Sequence, residues 1–178
     1  MSSKFPQENI NGETIIVGND GNDFYGSYLF FDTSSIPDNI SIHSSEIVLF
    51  KVTDFFYDYN KNFSICPIAD YFSSFTSYET RPKIYKNFSE IFNPFTCGVA
   101  VEIDITNIVR GWLQNLIINK GLFLYSSNSN SSLTSFGSAL SKDNYLIPIL
   151  RVSFKKSPIP VNLPYVPINK YPYILSNP

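Results

Sequence analysis

Large apolar residues hold every second position through Val99-Ala-Val-Glu-Ile-Asp-Ile105. That is the period of a strand with one face buried and the other wet. Further apolar runs occupy 12–18, 26–32, 41–53, 63–70, 121–125, 132–136 and 149–154. Between them lie clusters such as Asp20-Gly-Asn-Asp23 and Ile36-Pro-Asp-Asn39, residue types that bend the chain or bond to their own backbone. Seven or eight short strands spaced in this way predict an all-β fold, an antiparallel β-sandwich or jelly roll. The 16 Phe and 12 Tyr agree, because aromatic side chains suit a pleated, half-buried surface. A chain of 178 residues folded as one domain buries roughly 70% of its unfolded surface, so its core needs no staples.

One stretch departs from the two-residue period. From Asp104 to Asn115 the apolar residues are Ile105, Ile108, Val109, Trp112 and Leu113, a stripe along one face of a helix. This predicts a short helix over 105–114 packed across one end of the sandwich, with Asp104 or Thr106 as its cap. Gly111 weakens such a helix but permits close packing. Trp112, the single Trp, reads either as a core plug or as a stacking platform for a sugar.

Beyond residue 156 the chain changes character. Residues 157–178 hold six prolines, at 158, 160, 164, 167, 172 and 178, which forbid a helix and interrupt any central strand. A disordered linker is polar, whereas this tail carries Ile159, Val161, Leu163, Tyr165, Val166, Ile168, Tyr171 and Tyr173. The pattern predicts an extended, polyproline-leaning segment that lies on an apolar surface, with those eight side chains as assembly residues. The expected organisation is an N-terminal arm (1–11), a sandwich domain (12–156) and the tail (157–178).

Several motifs together resemble the DNRLRE-type bacterial β-sandwich domains. Ser27-Tyr-Leu-Phe-Phe-Asp-Thr-Ser-Ser-Ile-Pro37 is similar to that family's strand-and-turn. Val101-Glu-Ile-Asp-Ile-Thr-Asn-Ile-Val-Arg-Gly-Trp112 is similar to its strand–helix signature. Asn119-Lys-Gly-Leu-Phe-Leu124 and Pro148-Ile-Leu-Arg-Val-Ser-Phe154 resemble its later strands. The resemblance runs over about residues 12–154. It implies a sandwich with Tyr28, Phe30, Asp104 and Trp112 in its structural core, and kinship to carbohydrate-binding modules. It also implies a strand before Gly12, for which only eleven residues remain, so an unpaired sheet edge is expected.

Candidate chemistry is sparse. With 13 basic and 15 acidic residues the formal charge is −2, which argues against a nucleic-acid partner. No run approaches the ~18 apolar residues of a membrane span. His43 is the single histidine, and no nucleophile beside it marks a triad. Glu102 and Asp104 share one strand face, but the resemblance makes Asp104 a helix-end residue rather than half of a glycosidase pair. Glu13, Asp20, Asp23 and Asp32 offer oxygen ligands for Ca²⁺, although turn chemistry accounts for the Asp-Gly-Asn-Asp cluster equally well. No cofactor is implied. Cys66 and Cys97 are too few for a disulfide framework and read as free thiols or as a bond formed on exposure to air. The first nine residues lack a Sec-type apolar region. The expectation is a non-catalytic structural protein of a bacterial cell or spore surface, made without a Sec signal. It would self-assemble with copies of itself or other surface subunits; the alternative is a carbohydrate-binding module for a cell-surface or acidic polysaccharide.

Overall fold

The computed structural model describes residues 1–8, 12–53, 60–126 and 133–156. Among the described residues ten strands form in chain order: β1 (Thr14–Asn19), β2 (Phe24–Tyr25), β3 (Ser27–Leu29), β4 (Ile40–Phe50), β5 (Phe63–Pro67), β6 (Glu90–Phe92), β7 (Ala100–Asp104), β8 (Leu122–Ser126), β9 (Thr134–Gly137) and β10 (Ile149–Lys156). One α-helix, α1 (Thr106–Leu113), follows β7. The sheets have orders β2-β1-β9, β10-β4-β7 and β3-β8-β5-β6, and every pairing of named strands is antiparallel. A bridge between Lys51 and Phe136 and a bond from the Val52 N–H to the Ser135 carbonyl join β9 to the end of β4. The all-β sandwich with one short helix is what the alternation predicts.

The pleat explains the burial. In β7, Val101 and Ile103 point into the core while Glu102 and Asp104 face water. Across the sandwich, Phe63 and Ile65 of β5 and Leu122 and Leu124 of β8 meet Ile47 and Leu49 of β4 in the main core. The four-stranded sheet is buried on its other face as well. There Phe123 packs with Met1 and Ile68, flanked by Tyr28, Phe72 and Tyr125. Rings stack at centroid distances of 4.9 Å (Tyr28–Phe123) and 5.2 Å (Tyr28–Phe72). This second layer explains why every residue of β5 is buried.

At the helix start, Asp104 Oδ1 accepts the Thr106 N–H at 2.8 Å, and Thr106 Oγ1 accepts the Ser45 N–H at 2.9 Å. These bonds end β7 and tie α1 to β4. Ile108, Val109 and Trp112 are buried, and Trp112 is 6% exposed, so it is a core plug and not an open stacking platform. Gly111 permits the approach: a Cβ there would meet the Phe88 ring at 3.0 Å and Ile117 at 3.2 Å.

Four expectations are corrected. Phe30 is not core but 57% exposed, because β3 ends at Leu29 and the ladder that buries Leu29 no longer orients the next residue. Tyr28 packs in the outer aromatic layer, not the main core, since it lies on the opposite pleat face from Leu29. Asp104 exposes its side chain and acts through its hydrogen bond, not through burial. The N-terminal arm is part of the fold over its first residues. The Met1 ammonium donates to the Gly26 carbonyl at 2.8 Å, the Gly26 N–H donates to the Met1 carbonyl, and Ser3 N–H donates to Phe24. Residues 1–3 therefore lie along β2 and cover part of the edge expected to be open. The tail residues Ile159, Val161, Leu163, Tyr165, Val166, Ile168, Tyr171 and Tyr173 lie outside the described residues.

Candidate docking cleft and sheet edge

Two features among the described residues could engage another molecule, a cleft and an edge. The cleft, about 500 Å³, opens where β1 and β3 meet the loops around residues 72–76 and 138–140. Its walls include Ile15, Leu29, Phe31, Phe72 and Pro148, with Phe30 and Leu140 at its rim. Thr14, Ser27 and Ser73 add hydroxyls; no side chain among the described lining residues is charged, but Met1, whose ammonium donates to the Gly26 carbonyl, also lines the cleft. Its volume is within the range of small-ligand sites. Sequence reasoning missed this place because its described residues come from six separate segments with no shared motif.

The edge belongs to β10, which pairs only with β4 among the described residues. Ile149 and Phe154 are exposed on it. The register with β4 shifts between Ser153 and Phe154, where His43 of β4 is the extra residue, and Lys155 and Lys156 close the strand. Lysines at a strand end discourage indefinite edge pairing.

The residues singled out for chemistry do not converge. Arg151 on β10 bonds Glu46 and Glu102 at 2.9 Å each, and those hydrogen bonds hold the guanidinium more firmly protonated. Glu102 is thus an ion-pair partner, while Asp104 serves Thr106. Hydrogen bonds from the Thr106 hydroxyl and N–H keep the Asp104 carboxyl below its ordinary range. His43 is exposed on β4. Asp20 accepts the Asp23 N–H at 2.8 Å and the Asn22 N–H at 3.1 Å, which pull its pKa down in that order. Asp23 accepts the Ser3 hydroxyl and Asp32 the Ser34 N–H. These carboxylates act as turn residues, and no group of three or more His, Cys, Asp or Glu gathers as for a metal among the described residues. Glu13 faces away, paired with Lys142 at 2.8 Å.

Cys66 is buried and Cys97 exposed, both free. The Cys66 thiol lies 3.8 Å from the Tyr125 hydroxyl, and burial first, then this neighbour, raises the Tyr125 pKa. Lys61, also unforeseen, is buried with its ammonium donating to the Leu133 carbonyl and Thr134 Oγ1 at 2.9 Å. Among the described residues no helix is long and apolar enough to cross a membrane. Comparison with protein-family models and with curated proteins finds no match.

Proposed function

We propose that this chain is a non-catalytic structural subunit that assembles with other copies, or with other surface subunits, through exchange of its C-terminal tail. A bacterial surface structure such as a spore coat, appendage or surface layer is the setting this reading favours. The observation that carries it is the position of the last strand. β10 lies at a sheet edge among the described residues and ends at the exposed Lys156. The segment that follows is apolar and proline-rich, a composition that gains by lying on a protein surface instead of in water. Prolines have already lost part of the backbone freedom that docking removes. A tail held by another copy makes a head-to-tail contact, which can propagate into a filament. The test is the solution mass of the full chain and of a chain lacking residues 157–178. Assembly lost on truncation, with the fold intact, is expected; high-mass assembly that survives truncation, or no assembly by the full chain, ends the proposal.

A second reading is favoured by the cleft, where the exposed Phe30 ring stands beside hydroxyl side chains. Such a mixture suits a sugar ring, as the resemblance to carbohydrate-binding relatives implies. A glycan array with wild type and Phe30→Ala separates the readings, since only a sugar site gives binding that the substitution removes.

A further inference from the structure

Resting on the assembly reading above, we propose that the largely apolar cleft between β1 and β3 is the receptor for residues 157–168 of a neighbouring copy. Three observations converge on this occupant. The first is complementarity. Among the described lining residues no side chain is charged, and the Met1 ammonium beside them is held by the Gly26 carbonyl; residues 157–168 carry no charge at all. The cleft rim exposes Phe30 and Leu140, while the segment supplies Ile159, Val161, Leu163 and Val166 between prolines. A groove that accepts side chains suits a proline-rich segment better than a hydrogen-bonded ladder does, because each proline lacks an N–H.

The second observation concerns the competing receptor. The edge strand β10 ends in Lys155 and Lys156, charges that discourage an added strand at the end where the tail begins. The third is position. Pro148, just before β10, lines the cleft, whereas the tail starts after Lys156 at the strand's far end. Eight residues of strand separate the two by roughly 26 Å. Reaching its own cleft would turn the tail back along β10, and Ser157 and Ile159 each precede a proline, which biases them toward extended backbone.

The test uses the full chain with a photo-crosslinking benzophenone side chain in place of Leu163, mixed from isotope-light and isotope-heavy preparations. Cross-links joining light to heavy copies at residues 28–31, 72–76 or 138–140 are expected. Cross-links to those residues only within one copy would show docking in cis and overturn the proposal, as would cross-links to β10 or elsewhere. Leu140→Asp in the full chain supplies a second readout. Leu140 is 63% exposed, so the melting temperature should hold while assembly weakens about tenfold or more; unchanged assembly counts against the cleft. If truncation of the tail leaves assembly intact, the broader reading fails; if assembly needs the tail but misses the cleft, only this inference fails.

Discussion

Asp104 shows how a single hydrogen bond can define an element. Its carboxylate holds the Thr106 N–H where β7 stops and α1 begins, and a side chain that satisfies a free N–H at a helix start contributes about 0.5–2 kcal/mol. Asp104→Ala should therefore destabilise the fold by about 1 kcal/mol at neutral pH. Because the folded-state pKa is lowered, the ionised carboxylate's contribution is fully present above the ordinary value of 3.8 and is lost as pH falls through the lower folded value. Denaturant titrations of both proteins should differ at neutral pH and converge in acid. Trp112 is a different case. Its loss leaves a cavity under α1, and Trp112→Ala should cost about 3–5 kcal/mol by the same measurement. The thiols give a third expectation. Cys97 should react with a thiol reagent in the native protein, while Cys66, buried against Tyr125, should react only after unfolding.

At the scale of elements, β2 and β6 were not anticipated, being two and three residues long. A period of two cannot be recognised in so few residues; their partners in the sheet define them. The pairing of residues 1–3 with β2 was equally invisible, since Met-Ser-Ser carries no strand pattern. Met1 nonetheless enters the outer aromatic layer, and burial lowers the pKa of its ammonium. Removing residues 1–3 should lower stability by about 1.5–3 kcal/mol through loss of that buried side chain, and should raise binding of an apolar dye. By contrast, α1 was predicted almost to its ends, because five apolar residues at helical spacing leave few alternatives.

For the whole molecule, the main core is assembled from residues between Ile15 and Phe136, with Leu150 and Val152 packed against it. A chain ending at residue 156 should retain the far-ultraviolet spectrum and melting temperature of the full protein, whatever it does to assembly. A large drop in melting temperature would show that the tail completes the fold in cis. The ion-pair ladder of Glu46, Arg151 and Glu102 lies on the wet face of the sheet. Arg151→Ala should shift melting only slightly, and less still at high salt, because exposed pairs are screened.

The all-β class, most strand positions, the helix and the burial of Trp112 were legible in the sequence, because each is written in the spacing of neighbouring residues. The period decides which face is buried, and burying apolar area drives that choice. The tertiary structure alone decided which strands become neighbours, and with that everything depending on distant segments. It buried both faces of the four-stranded sheet, left Phe30 at a rim, and closed a cleft from six parts of the chain. Local spacing carries no information about contacts between residues 15, 30, 72, 140 and 148, because only the folded backbone brings them together.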